Sequence, residues 1–155
     1  MIAIRGPNTL RGICRRSREE VFTAGGWYLT GDLGHLDEDG FMFYHGRADD
    51  MFKVSGATIY PTEVEHALRS IDGVRNAFVT DVTGQVGAAV VGDGPIDRLR
   101  TSARKLVSSF KIPTIWLLVD SDDVIPRGST GKVDAAALRQ MLATQQDARS
   151  PDADR

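Results

Sequence analysis

Three short stretches of this chain combine residue types that can do chemistry: residues 26–34 (GWYLTGDLG), 46–65 (GRADDMFKVSGATIYPTEVE) and 126–134 (PRGSTGKVD). The first places Asp32 directly after Gly31, and a carboxylate there can accept hydrogen bonds from vicinal hydroxyls such as those of a ribose. The last projects Lys132 from a loop that contains two glycines and small hydroxyl residues. Taken singly, each pattern is also typical of an ordinary surface turn.

The middle stretch predicts a hinge followed by a hairpin. Asp49 and Asp50 are adjacent, short and acidic, which disfavours a helix and favours a turn or hinge. Residues 51–54 alternate like a brief strand, and the Ser-Gly pair at 55–56 turns the chain. On these residues alone, a charged surface hairpin without a function is an equally good interpretation.

A helix is predicted to follow this hairpin. Pro61 suits the first position of a helix, and Thr62 with Glu65 has the form of a capping box. Apolar residues then recur at helical spacing, at Val64, Leu68 and Ile71 among others.

The elements before the hinge read as β-rich. Residues 1–7 predict a strand that has no preceding element to pair with, and 15–22 (RRSREEVF) a short exposed helix. Residues 33–36 and 41–45 predict a hairpin, because an Asp-Gly pair makes the turn between them tight.

The elements after the hinge predict a small α+β domain. Residues 74–82 and 86–91 are rich in β-branched side chains, 96–110 show one apolar helical face, and 115–119 are an apolar strand. Asp134 is expected to cap a helix over 135–142. The sequence after Ala143 lacks apolar periodicity, which predicts a disordered tail.

Composition excludes several classes of function. The chain has 155 residues, 41% hydrophobic and 26% charged, with a net charge of -2, which gives no reason to expect nucleic acid or an anionic membrane as partner. A single cysteine excludes an internal disulfide, and the absence of a long apolar run predicts a cytoplasmic protein with no membrane span. His35, His45 and His66 are scattered and share no metal-ligand spacing, so no metal site is predicted.

In this order and spacing, the three stretches together resemble the adenylate-forming superfamily, which includes acyl-CoA synthetases, luciferases and the adenylation domains of peptide synthetases. The resemblance runs from Ile2 to about Leu142 and matches only the C-terminal part of such an enzyme. It implies an α+β fold in which a β-rich remnant of the large N-terminal domain (1–48) precedes the small C-terminal domain (49–146). That domain is expected to hold a three-stranded sheet flanked by helices and a hinge hairpin, and 147–155 form the tail.

The resemblance also implies a role for each candidate residue. Asp32 would hold the ribose of ATP and then of the acyl-adenylate, and Arg47 would contact the ribose side of the nucleotide. Lys132 would stabilise charge while the substrate carboxylate attacks the α-phosphate.

The second half-reaction is implied in the same way. The C-terminal domain would rotate about Asp49 and present the hairpin from Lys53 to Gly56, so that the thiol of coenzyme A attacks the adenylate. Gly56 would border the channel for the pantetheine arm, where a side chain would narrow the passage. Mg²⁺ is expected to be bound with ATP, mainly by the large domain.

The glycine-rich phosphate loop and the acid pocket of such enzymes have no counterpart in the first forty residues. The chain alone is therefore predicted not to activate a carboxylic acid at a useful rate. Three interpretations stay open: a truncated remnant of an acyl-CoA ligase, half of a split ligase that needs a partner chain with the large domain, and a noncatalytic protein-binding module. The acid, and whether a carrier-protein thiol replaces coenzyme A, cannot be read from these residues.

Overall fold

The chain divides into two compact units, Met1–Met51 and the part from Phe52 onwards. The computed structural model describes residues 1–147, with side chains up to residue 145. No helix in this described part combines the length and the apolar character that crossing a membrane requires.

The first unit is built from two small antiparallel sheets. Strand β1 (Ala3–Ile4) pairs with β2 (Tyr28–Leu29), and β3 (Asp32–Leu36) pairs with β4 (Met42–Arg47). The β3–β4 hairpin was predicted from the Asp-Gly turn. The expectation that the first strand lacks a partner was wrong, because a later segment of the same unit supplies it.

One short helix, α1 (Arg18–Val21), lies in the first unit. It is shorter than the predicted 15–22 because Ser17 begins it with a capping box: the Ser17 side chain accepts from the Glu20 amide, and the Glu20 carboxylate accepts from the Ser17 amide. Its exposure is also only partial, since Val21 is buried at its last turn.

The second unit begins with the predicted hairpin and helix. Strands β5 (Phe52–Val54) and β6 (Ala57–Ile59) pair antiparallel, and α2 (Pro61–Arg69) follows. Pro61 occupies the start of the helix as expected. The predicted capping box was wrong, because no side chain caps this helix at Tyr60.

Glu65 serves a different purpose from the one the capping pattern indicates. Its Oε1 accepts a hydrogen bond of 2.9 Å from the backbone amide of Val79 in the neighbouring strand. The Glu65 carboxylate therefore makes a tertiary contact with the neighbouring strand, and not the local contact at the helix terminus that the capping pattern predicts.

A three-stranded sheet forms the centre of the second unit, as predicted. Its order is β7 (Val74–Val82), β8 (Gln85–Gly92), β9 (Ile115–Val119). The first two strands are an antiparallel hairpin, and β9 lies parallel to β8. The parallel pairing requires a crossover, which contains α3 (Ile96–Leu106).

Apolar residues cover both faces of this sheet. On one face, Ile59, Leu68, Leu99 and Trp116 belong to one buried cluster. On the other face, the buried cluster is contributed by strand residues and the last helix: Val82, Ala89, Val91, Ile115, Leu138 and Leu142. Central strand β8 supplies both clusters with alternate residues, which explains why its sequence is apolar from Val86 onwards rather than alternating.

The last two helices differ from prediction at their ends. Helix α3 ends at Leu106, and the rest of the predicted apolar face forms a separate 3₁₀ turn at Ser109–Lys111. Helix α4 (Ala135–Asp147) extends past Ala143, so the tail predicted from there was wrong up to Asp147. The remainder of the predicted tail lies outside the described residues.

Candidate functional site

Asp32 and Arg47 are brought together by the β3–β4 hairpin. They are direct partners in the ladder, and Nη1 of Arg47 lies 3.5 Å from Oδ1 of Asp32. The side chains are 32% and 44% exposed, so both carry charge within reach of solvent and of a ligand. Because cross-strand partners share one face of the sheet, the register alone is enough to place this pair.

Arg47 is held more closely by Asp49 than by Asp32. Its Nε donates to Oδ1 of Asp49 at 2.8 Å and its Nη2 to Oδ2 at 3.1 Å, a two-point ion pair. The hydrogen bond from Arg47 holds the pKa of the Asp49 carboxyl below its ordinary value, and the same bond raises the pKa of Arg47. The guanidinium thus lies between two carboxylates and engages both.

The backbone before Asp32 is shaped to admit this guanidinium. Gly31 has a φ of +82°, and a Cβ atom added there would lie 2.9 Å from Nη2 of Arg47. The carbonyl of Thr30 accepts from Nη1 of Arg47 at 3.4 Å, and the Thr30 hydroxyl accepts from the Asp32 amide at 3.0 Å. The Thr-Gly-Asp sequence therefore positions both the Asp32 carboxylate and the Arg47 guanidinium.

Tyr44 lies close enough to this acidic group for its ionisation to be affected. Partial burial raises the pKa of its phenol, and the charge of Asp32 raises it further. A tyrosine phenol is protonated at neutral pH in any case, and the raised pKa extends this state to higher pH.

The hairpin with Lys53 and Gly56 lies in the second unit. Its turn uses two residues of positive φ, Ser55 at +49° and Gly56 at +83°. Lys53 is exposed. An added Cβ at Gly56 meets nothing within 4 Å in the chain itself, so the fold requires glycine there for its backbone conformation and not for space.

The loop that carries Lys132 is closed by its own backbone. Arg127 and Val133 form a β-bridge, and the amide of Gly128 donates to the carbonyl of Lys132 at 2.8 Å. Arg127 fixes the base of the loop through an ion pair with Asp122 and a hydrogen bond to the Gly131 carbonyl. Lys132 is exposed, and within the part of the chain that the structure describes it forms no ion pair.

Helix α4 follows this loop directly and begins as predicted. Oδ1 of Asp134 accepts from the amides of Ala136 and Ala137 at 3.0 and 3.1 Å. The cap fixes the point at which the loop ends, three residues after Gly131.

The structure brings together two of the three histidines, which lie far apart in the sequence. Nδ1 of His35 lies 2.7 Å from Nε2 of His45. A signal for this was available, because Phe43 lies opposite His35 in the hairpin and residues 43 and 45 point to the same face of a strand. His66 is on α2, in the other unit.

Two groups of predicted residues therefore have defined local structures. In the first unit, the structure brings together Asp32, Arg47 and Asp49. Lys53, Gly56 and Lys132 belong to the second unit, and the functional roles of all six stay predictions. Among the described residues, no three or more His, Cys, Asp or Glu side chains are grouped to hold a metal ion.

Comparison with known proteins finds extensive similarity, although no protein-family model matches the chain. It is 34% identical over 151 residues to a 2-succinylbenzoate–CoA ligase of Geobacillus kaustophilus strain HTA426, covering 91% of this chain and 30% of that protein. It is 32% identical over 154 residues to a 3-hydroxybenzoate–CoA ligase of Aromatoleum sp. strain CIB, covering 91% of this chain and 29% of that one.

Solved structures agree in fold. ATP-bound MatB from Rhodopseudomonas palustris matches 88% of this chain with a TM-score of 0.72 and 30% identity. The AMP complex of MenE, the o-succinylbenzoate coenzyme A synthetase of Bacillus subtilis, matches 90% with a TM-score of 0.72 and 32% identity. In both cases the match covers 29% of the other chain, so this chain spans less than a third of the relatives it resembles.

Proposed function

From the homology of this chain to the C-terminal portion of the adenylate-forming enzymes, we propose that it works as that portion of an ATP-dependent acyl-CoA ligase. The observation that carries the proposal is the match of about nine-tenths of the chain, at 30–32% identity and a TM-score of 0.72, to enzymes solved with ATP or AMP. In this reaction the carboxylate of the acid displaces pyrophosphate from ATP to form an acyl-adenylate, and the thiol of coenzyme A then displaces AMP to form the thioester.

The Asp32–Arg47 pair is proposed to bind the ribose of the nucleotide. Arg47 engages Oδ1 of Asp32, and within the described part of the chain Oδ2 has no hydrogen-bond partner. A carboxylate with an open oxygen can accept from a ribose hydroxyl, while the guanidinium offers donors to the same ligand.

Lys132 is proposed to act in the adenylation step. Attack of a carboxylate on the α-phosphate brings two anions together, and a cation at that point stabilises the charge that develops in the transition state. An exposed lysine on a loop of fixed base meets this need, since its charge is not already committed to an ion pair among the described residues.

Asp49 is proposed as the hinge between the two half-reactions. It forms an ion pair with Arg47 in the first unit and lies three residues before β5. Rotation there would withdraw Lys132 and present the Lys53–Gly56 turn to the adenylate, so that the thiol of coenzyme A can attack. A hinge needs a few residues that absorb a backbone change, which a short polar residue tolerates.

The proposed reaction also needs the portion of the relatives that this chain does not match. The phosphates of ATP, its Mg²⁺ and the acid are assigned to that portion, whether it lies in the same polypeptide or in a partner chain. The first unit supports this assignment, because its hairpin exposes a group of large apolar side chains to solvent: Leu36, Phe41, Met42, Phe43 and Tyr44. Exposed apolar groups of this kind mark surfaces that another polypeptide covers.

Exchange of pyrophosphate into ATP tests the proposal. We expect no exchange by the isolated chain, and exchange dependent on 2-succinylbenzoate when the chain replaces the homologous portion of the Geobacillus kaustophilus ligase. Lys132→Ala in that fusion is expected to reduce the rate about 10²- to 10³-fold, the usual effect of removing one transition-state partner.

The native Geobacillus enzyme, assayed in parallel, shows that the acid and the assay work. A fusion that folds, as judged by circular dichroism, and yet exchanges no pyrophosphate would contradict the ligase assignment. Exchange by the isolated chain above its Lys132→Ala variant would instead contradict the need for a further portion.

A further inference from the structure

His35 and His45 form an exposed pair on the β3–β4 hairpin. Nδ1 of His35 and Nε2 of His45 are 2.7 Å apart, the ring centroids are 4.9 Å apart, and the ring planes differ by 12°. Such a short nitrogen separation at that centroid distance means that the rings meet edge to edge, nitrogen facing nitrogen. Neither residue takes part in the proposed ligase chemistry.

We propose that this histidine pair is a two-point binding site for a divalent transition-metal ion that favours imidazole, with Cu²⁺ preferred and Ni²⁺ next. The neutral imidazole nitrogen is the commonest protein ligand for such ions. In the metal-free pair, one nitrogen donates its hydrogen to the other. For both to bind a metal, that hydrogen moves to the far nitrogen of the same ring, so each ring stays neutral with one proton.

Coordination of one ion by both nitrogens requires them to move apart slightly and to turn off the line that joins them. Two nitrogens bound at about 2.0–2.1 Å and at 90° to each other are about 2.9 Å apart, whereas a tetrahedral angle separates them by about 3.3 Å. The observed 2.7 Å is the length of the hydrogen bond between the two rings, and a right-angled pair of ligands, as Cu²⁺ and Ni²⁺ favour, requires the smaller increase from it. Both side chains are exposed, so each ring is free to make the turn of about 45° that directs its lone pair from the other ring toward a shared ion with ligands at right angles.

The hairpin holds the two rings near each other before any metal arrives. The ring of His35 stacks on its ladder partner Phe43, with centroids 5.1 Å apart and planes 14° apart. His45 lies beside the irregularity in the ladder, where Leu33 pairs with Gly46 and Gly34 with Tyr44. This arrangement reduces the conformational cost of chelation, which is the main cost of a site made from two flexible side chains.

Water completes the coordination, because no third metal-binding side chain joins a group with these two among the described residues. Such an open site binds reversibly and follows the general order of affinity in which Cu²⁺ exceeds Ni²⁺ and Zn²⁺. The proposal does not depend on the ligase assignment.

Titration of the untagged full chain with Cu²⁺ tests the inference, with nitrogen hyperfine structure in electron paramagnetic resonance as the readout. We expect one ion bound by two imidazole nitrogens. His35→Asn and His45→Asn should each weaken binding about tenfold or more, because the chelate is lost with the first substitution, and the spectrum of each should report one imidazole nitrogen instead of two. His66→Asn, which changes the third histidine, is the matched control and should bind like the unaltered chain.

Modification by diethyl pyrocarbonate gives a second measurement that needs no substitution. Bound Cu²⁺ is expected to protect His35 and His45 and to leave His66 reactive. Equal protection of all three histidines, or single variants that each retain the full affinity, would overturn the inference. Two ions bound by the unaltered chain, of which each single variant loses one and keeps the other at unchanged affinity, would also overturn it, since that describes two separate one-point sites.

Discussion

The guanidinium of Arg47 is shared between two carboxylates but is not shared equally: it contacts Asp49 at 2.8 and 3.1 Å and Asp32 at 3.5 Å. Asp49 follows Arg47 by two residues, whereas Asp32 reaches it only because the hairpin register makes the two residues partners. Asp49, the proposed hinge residue, thus fixes the orientation of the Arg47 guanidinium. That guanidinium faces Asp32, which is proposed to bind the ribose.

Gly31 is expected to be essential for this arrangement. Substitution by alanine places a Cβ at 2.9 Å from Nη2 of Arg47 and at a φ of +82°. An alanine held at this positive φ is expected to lower the free energy of unfolding by about 1–2 kcal/mol. The guanidinium is the far end of a flexible side chain, so we expect it to move away from Asp32 and Asp49 instead of unfolding the unit.

Gly40→Ala is the matched control for this effect. Gly40 has nearly the same φ, +83°, and an added Cβ meets nothing within 4 Å. Thermal unfolding should therefore show a similar loss of stability for both variants, while only Gly31→Ala weakens AMP binding by the fusion enzyme. Equal AMP affinities for the two variants would contradict the proposed role of Arg47.

The pKa of the Asp49 carboxyl is expected to rise when Arg47 is replaced. In the folded chain the hydrogen bond from Arg47 lowers this pKa. A lowered folded-state pKa means that the ion pair adds to stability at neutral pH and is lost in acid, as the pH falls from about 3.9 through the lower folded-state value. Carbon-detected NMR titration of the carboxyl in Arg47→Gln should show a higher pKa than in the unaltered chain, although the hydrogen bond from the backbone of Asp49 itself continues to lower it.

Arg47→Lys separates charge from geometry in this titration. Lysine keeps the positive charge but cannot make the two-point contact, so we expect an intermediate pKa for Asp49. An unchanged pKa in Arg47→Gln would mean that Asp49 is not held by this guanidinium in solution.

Lys132 and Lys53 are expected to affect different half-reactions in the fusion enzyme. Lys132→Ala should slow pyrophosphate exchange about 10²- to 10³-fold and leave thioester formation from a preformed acyl-adenylate within a few fold. Lys53→Ala should slow thioester formation more than exchange. Both lysines are exposed, so each variant should change the free energy of unfolding by no more than about 0.5 kcal/mol. Equal loss of both half-reactions in both variants would contradict the division of roles.

Glu65 is expected to anchor α2 on the central sheet. Glu65→Ala removes the acceptor of the Val79 amide and should lower the free energy of unfolding by about 1–3 kcal/mol, the cost of an unsatisfied buried donor. Thr62→Ala is the control, because no side-chain bond caps the helix, and it should cost about 0.5 kcal/mol or less. If urea unfolding showed a loss in the free energy of unfolding clearly larger than this for Thr62→Ala, the result would support the capping box predicted from the sequence.

Local signals in the sequence were sufficient for the elements whose residues decide their own conformation. Gly40 sets the β3–β4 turn, Asp134 begins α4, and the hairpin and helix around Pro61 follow from turn and start signals within a few residues. The three-stranded sheet was predictable for the same reason, since each strand is a run of apolar and β-branched residues bounded by turns. Resemblance to a known family then supplied the candidate residues.

Tertiary structure alone decided which of these residues meet. The ladder register joined Asp32 to Arg47 and His35 to His45, and packing of α2 on β7 directed Glu65 away from the helix end toward Val79. These contacts link residues ten to fifteen positions apart, and their geometry depends on strand pairing and burial, which no window of local sequence specifies. The sequence by itself determined the kinds of side chain available for chemistry; the fold determined their distances, because a hydrogen bond or an ion pair forms only when the backbone brings its two partners within reach.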